Sequence, residues 1–213
     1  MGERLAGGNV AIVLLANSIA TGAALVALIL TFAPISGAHF NPAVTLADAS
    51  RGGLPWAEVV PYVAAQVVGA FVGVALAHLM FGEPIVALSH RVRSGGPQLL
   101  SEGIATFGLL AVVCGCSHLR SSAVAVGAYI AAAYWFTAST SFANPAVTLA
   151  RSVTDTFAGI RPADAPGFIA AQLVGAGAAT ALFRWLVPAR PRLPRQVVGA
   201  GVEPPDGRRK DRA

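Results

Sequence analysis

The sequence predicts an all-α membrane protein assembled from two related halves. Three observations carry that prediction. Only 12% of the 213 residues are charged and 55% are hydrophobic, with mean hydropathy +0.65; a soluble domain carries about 25% charged residues. Five apolar stretches are long enough to cross a bilayer as helices. Seven residues, Asn41-Pro42-Ala43-Val44-Thr45-Leu46-Ala47, recur word for word 103 positions later as Asn144-Pro145-Ala146-Val147-Thr148-Leu149-Ala150.

The first stretch runs from Val10 to Phe32 without a charge and would span about 34 Å as a helix. The second runs from Trp56 to Phe81, with Glu58 near its entry. A polar connection with Glu83, Arg91 and Arg93 follows, closed by Gly95-Gly96-Pro97. The third stretch, Leu99 to Cys116, holds one charge, Glu102. A link from Ser117 to Ser121 leads to the fourth, Ala123 to Thr140, and the fifth runs from Pro166 to Val187. Small residues (Gly22, Gly69, Gly73, Gly127, Gly175, Gly177) suit close helix packing in lipid. Residues 188–213 hold seven of the 15 Lys and Arg among several prolines. Net charge +5 and pI near 10.0 therefore read as a basic, disordered cytoplasmic tail under the positive-inside rule, with no nucleic acid implied.

Two segments are apolar but too short to cross: Asn41 to Ser50 and Asn144 to Val153. Each opens with Asn, a favoured N-cap, then Pro, which suits the first helical position. Each is expected to be a short helix, tolerated at membrane depth only where protein buries it or it lines a watery cavity. The duplication continues: Tyr62-Val63-Ala64-Ala65-Gln66-Val67-Val68-Gly69-Ala70 matches Phe168-Ile169-Ala170-Ala171-Gln172-Leu173-Val174-Gly175-Ala176. Each half reads span, short helix, span, and an odd number of spans separates the halves, so they insert in opposite senses. Inverted repeats with broken helices are a transport architecture.

Paired Asn-Pro-Ala motifs, each before an Ala-Ala-Gln-x-x-Gly-Ala span, resemble the aquaporin and glycerol-facilitator family (major intrinsic proteins) over about residues 9 to 187. The resemblance implies an aquaporin-like fold of six spans with two re-entrant half-helices, and a homotetramer in the cell's inner membrane. Five spans are counted here. One domain over 1–187 is expected, its first half-repeat (9–81) incomplete and its second (98–187) whole. The span that opens the second half has no counterpart after Met1. The repeat therefore predicts that Met1 is an internal methionine of a longer chain; the rival is a five-span fragment that forms no sealed pore.

In such a pore the short helices meet N-terminus to N-terminus, their positive dipole ends facing the centre. The motif residues Asn41, Pro42, Ala43, Asn144, Pro145 and Ala146 are then the central site, with the two Asn amides as donors to a passing oxygen. Family members carry Arg directly after the second Asn-Pro-Ala; here that residue is Val147. The resemblance makes Thr21, Ala132 and Ser141 its companions in the outer filter. Water-selective members pair that Arg with an aromatic and a His, and glycerol facilitators pair it with aromatics. A ring of Thr, Ala, Ser and Val is expected to be wider and less polar. It points to polyols, urea-like molecules, undissociated metalloid acids such as arsenous acid, and water. Bacterial relatives in arsenic-detoxification settings are described with a similarly altered filter.

By the same resemblance Glu102 accepts hydrogen bonds from the second re-entrant loop, while Gln66 and Gln172 support the loops. His39 falls at the cytoplasmic mouth. The bland readings are a membrane-face residue for Glu102 and a hydrogen-bonded loop histidine for His39. Cys114 and Cys116, two apart in a helix, read as small core hydrophobes. No metal-ligand spacing, cofactor motif, nucleophile–base arrangement or phosphate loop is present, so no enzyme, metal or cofactor is expected. A secondary transporter would need coupling groups in the membrane, for which only Glu102 and His78 qualify.

Overall fold

The structure, a computed structural model, describes residues 1–116 and 118–187; the predicted tail over 188–213 lies outside the described residues. A short helix α1 (Gly2–Leu5) precedes α2 (Val10–Ser36), which is capped by Asn9 Oδ1 accepting from Ala11 N and Ile12 N. The re-entrant helix α3 (Pro42–Ser50) follows, then α4 (Trp56–Phe81) and α5 (Gly96–Gly115). The second half continues with α6 (Leu119–Phe136), the re-entrant α7 (Pro145–Arg151), a 3-10 turn (Pro162–Asp164) and α8 (Ala165–Leu186).

Among the described residues, four helices are long and apolar enough to cross a membrane: α2, α4, α5, and α8 with its preceding turn. The sequence predicted a fifth at Ala123–Thr140. It forms as α6, shifted four residues toward the N-terminus, and Arg120, Ser121 and Ser122 in its first turn leave it outside that set. It ends at Phe136, where Thr137 turns extended (φ −105°, ψ 142°), and beyond it Thr140, Ser141 and Ala143 adopt φ of 61°, 49° and 49°. These left-handed conformations cannot continue a helix. The second short helix also ends two residues early, at Arg151.

Helices pair as α2 with α6 and α5 with α8, and the re-entrant α3 and α7 pack on α4 and α8. Missing side chains permit both pairings. A Cβ on Gly22 would sit 2.8 Å from the Gly127 carbonyl oxygen, and one on Gly127 would sit 2.6 Å from that of Gly22. A Cβ on Gly175 would collide with the Gly103 carbonyl. Gly69, the repeat equivalent of Gly175, has no neighbour within 4 Å among the described residues; nor have Gly73 and Gly177. Only Gly22, Gly127 and Gly175 of the predicted small-residue set therefore mediate close approach here.

The connection after α4 runs back along the end of α7, with Ala87 N donating to Val153 O and Ser89 N to Ser152 O. His78, buried in α4, pins this junction through Ile85 O (3.0 Å) and Thr154 Oγ1 (2.8 Å).

Candidate pore

Asn41 and Asn144 divide their amides in the same way. Each Oδ1 caps its own helix: Asn41 accepts from Ala43 N at 2.9 Å, and Asn144 from Ala146 N at 3.0 Å. Each Nδ2 crosses to the opposite loop. Asn41 donates to Ala143 O (2.7 Å) and Asn144 to Phe40 O (2.8 Å). The reciprocal pair staples α3 and α7 N-terminus to N-terminus. A primary amide has two N–H donors, so each Asn keeps one beyond its staple. Both Asn side chains line a cavity of about 520 Å³. Pro42, Ala43, Pro145 and Ala146 are buried behind it and form the first helical turns.

Glu102, fully buried, organises the second loop. Its Oε1 accepts from Phe142 N (2.8 Å), and its Oε2 from Ala143 N (2.8 Å) and Gln172 Nε2 (2.6 Å). Gln172 Nε2 also reaches Thr148 Oγ1 at 2.9 Å. In the first half Gln66 Nε2 donates to Thr45 Oγ1 at 2.8 Å. His39 Nδ1 meets the same hydroxyl at 3.1 Å, while its Nε2 lies 3.6 Å from Asp48 Oδ2 and its ring leans on Tyr62. His39 lines the cavity; Glu102, Gln66 and Gln172 do not. Burial lowers the His39 pKa, and Asp48 opposes that shift in part.

The match to known proteins follows this architecture. The model of the Major intrinsic protein family matches residues 4–120 and 115–206. The chain belongs to that family. It is 58% identical over 184 residues to the aquaglyceroporin AqpS of Rhizobium meliloti (strain 1021), covering 85% of this chain and 79% of that one. It is 41% identical over 96 residues to the glycerol uptake facilitator protein of Bacillus subtilis (strain 168), about a third of each chain. Among solved structures, the Plasmodium falciparum aquaglyceroporin superposes with a TM-score of 0.61 at 25% identity, covering 81% of both chains. This major intrinsic protein is accordingly an all-helical, multi-pass membrane protein with the aquaporin fold.

Its lumen departs from the predicted four-residue ring. Thr21, Ser141 and Val147 line the cavity, but Ala132 does not; it is exposed on the outer side of α6. The lumen face of α6 carries Val126, Ile130 and Tyr134, spaced by four as one helical face requires. Position 132 lies half a turn away. Tyr134 replaces Ala132 at the cavity wall, and its hydroxyl lies 3.3 Å from Thr21 Oγ1. Arg151, one turn beyond Val147 on α7, donates from Nη2 to the same hydroxyl at 3.1 Å. The cavity wall therefore also carries an aromatic hydroxyl and a guanidinium. Ser141 lines the cavity, and its buried Oγ has no hydrogen-bond partner among the described residues.

Other lining residues also went unmarked in the sequence. Cys114 and Cys116, read as core, line the opposite end with Asp48, Arg51 and Ser122. The signal for Tyr134 was its register with Val126 and Ile130. For Arg151 it was a lone charge four residues after Val147 on a seven-residue helix.

Proposed function

We propose that the chain is a passive channel for small neutral solutes: glycerol-like polyols, undissociated metalloid acids such as arsenous acid, and water. The observation that carries this reading is the reciprocal Asn staple between two helix N-termini beside a continuous cavity. Two helix dipoles directed at one point oppose cations, while the free amide N–H groups orient a passing hydroxyl or water oxygen. The names of the aquaglyceroporin and glycerol-facilitator relatives support the solute class. Thr21, Tyr134, Ser141 and Val147 form the outer filter in this reading, and Glu102, Gln172 and Gln66 hold the loops.

Residues 1–187 act as one channel domain built on half-repeats 9–81 and 98–187, with the basic tail on the cytoplasmic side of the inner membrane and four copies assembled as in the family. Arg184 on α8 donates to Ser50 O at the end of α3, so the mouth with Asp48, Arg51 and Cys114 then faces the cytoplasm. The two groups a coupled transporter would draw on, Glu102 and His78, are both spent on structural hydrogen bonds away from the cavity. No catalytic role is assigned to the site.

The test is reconstitution into liposomes and light scattering after a glycerol or arsenous acid gradient is imposed. Flux well above that of protein-free liposomes is expected; equal flux would end the channel reading. Val147→Arg should slow glycerol and arsenous acid more than water. Unchanged flux of the larger solutes would remove Val147 from the filter.

A further inference from the structure

Val147 leaves the lumen without a charge at its own position, yet the lumen is not without one. Residues four apart on a helix share a face, and Val147 and Arg151 line the same cavity. The Arg151 guanidinium rests 4.3 Å from the centroid of Phe142 and, among the described residues, makes one side-chain hydrogen bond, to Tyr134. Guanidinium has five N–H donors, so four remain. Among the described residues no carboxylate lies within 4 Å of it. An arginine kept for structure is spent differently, and Arg93 shows how. It is buried and donates to Ser139 O, Thr140 Oγ1, Gly159 O and Phe157 O. It also leans on Phe142 at 4.9 Å and does not line the cavity. The repeat sharpens the contrast, because Arg151 stands 103 positions after Asp48, which lines the other end.

We propose that Arg151 is a specificity-determining residue of the lumen, supplying one helical turn beyond Val147 the positive charge that Val147 lacks. The inference rests on the channel reading. Tyr134 and Phe142 hold the guanidinium in place, and its free N–H groups face the solute path. An uncompensated positive charge in a narrow, poorly solvated passage raises the barrier to hydronium and small cations. The same N–H groups donate to the oxygens of hydroxylated neutral solutes. With the cation displaced by one turn, position 147 itself carries no charge and neutral solutes pass without the lumen becoming a cation leak.

The experiment compares the parent, Arg151→Gln and Arg151→Lys in liposomes. Each preparation is assayed for glycerol flux and for flux of guanidinium ion, a planar cation close to urea in size. The guanidinium-to-glycerol permeability ratio should rise about tenfold or more in Arg151→Gln, as loss of a nearby unit charge implies, and stay near the parent value in Arg151→Lys. An unchanged ratio in Arg151→Gln, or an equal rise in Arg151→Lys, would overturn the proposal. If Arg151→Gln yields no glycerol flux, phenylglyoxal modification of the folded parent decides. A leak in the modified parent that is absent from treated Arg151→Lys supports the proposal. A tight parent with Arg151 modified by mass spectrometry overturns it. A parent chain that passes no glycerol refutes the channel reading itself, and this inference with it.

Discussion

Replacing Glu102 by Gln changes almost no volume and tests what holds the second re-entrant loop. The carboxylate faces three donors: Phe142 N, Ala143 N and Gln172 Nε2. A glutamine offers one carbonyl oxygen and one NH2 group, so in either flip the NH2 meets a donor. At least one buried N–H loses its acceptor, costing about 1–3 kcal/mol, and the bonds that remain lose their charge assistance, about 1 kcal/mol each. A neutral amide is cheaper to bury than a carboxylate, which offsets part of this. The net loss should be about 2–4 kcal/mol. The loop it anchors carries Thr140, Ser141 and Ala143 at positive φ, conformations that persist only where surrounding bonds impose them.

The assay is thermal unfolding of the purified protein in detergent, paired with glycerol flux. The midpoint should fall by on the order of 5–10 °C for a chain of this length, and flux should fall with it as Asn144 loses its register. A midpoint within about 1 °C of the parent, with flux intact, would show that the three bonds to Glu102 do not carry the loop.

Gly175→Ala should destabilise by more than 1 kcal/mol because its methyl has only the Gly103 backbone to displace, whereas Gly69→Ala should be neutral or slightly stabilising in the same unfolding assay. Arg93→Met should lower the unfolding midpoint markedly, since it strips donors from Ser139 O, Gly159 O and Phe157 O; a midpoint equal to the parent's would mean those carbonyls find other partners. The His39 pKa is lowered in the folded state, so the unfolded chain takes up its proton first. The stability tied to neutral His39 is present above about pH 6.5 and is lost as pH falls below that value. His39→Asn should flatten the midpoint-versus-pH curve between pH 7.5 and 5, and parallel curves would assign the acid sensitivity elsewhere.

Much of the fold was legible because its punctuation is chemical. Asn before Pro marked both re-entrant helices, and Gly82 and Gly95 bracket the polar connection at φ of 66° and 98°. The end of α6 was not legible. Apart from Phe142, Thr137 to Ala143 is small and weakly polar, and the bonds that hold its far end run from Phe142 N and Ala143 N to Glu102, some 40 residues away in sequence. Ala132, taken from the family resemblance, is not among the cavity-lining residues, whereas the helical face of Val126 and Ile130 leads directly to Tyr134. Cys114 and Cys116 are apolar enough to pass for core, and nothing local says that their end of α5 borders a cavity.

The two halves share a scaffold but differ where they meet solute. Thr45 and Thr148 each receive a glutamine amide, so the supports beneath the two Asn caps are alike. The loops above them are not. Position 39 holds a histidine between Thr45 and Asp48, while its repeat partner Phe142 carries the Arg93 and Arg151 guanidinium groups. Asp48 and Arg151 then give repeat-equivalent positions opposite charge. A strict inverted repeat would present both mouths with the same field. Here the shared heptad keeps the centre symmetric, and the residues just beyond it make one mouth cationic and the other mixed. In this chain selectivity against cations is therefore expected at the Arg151 end, and the acid-sensitive contact at the His39 end.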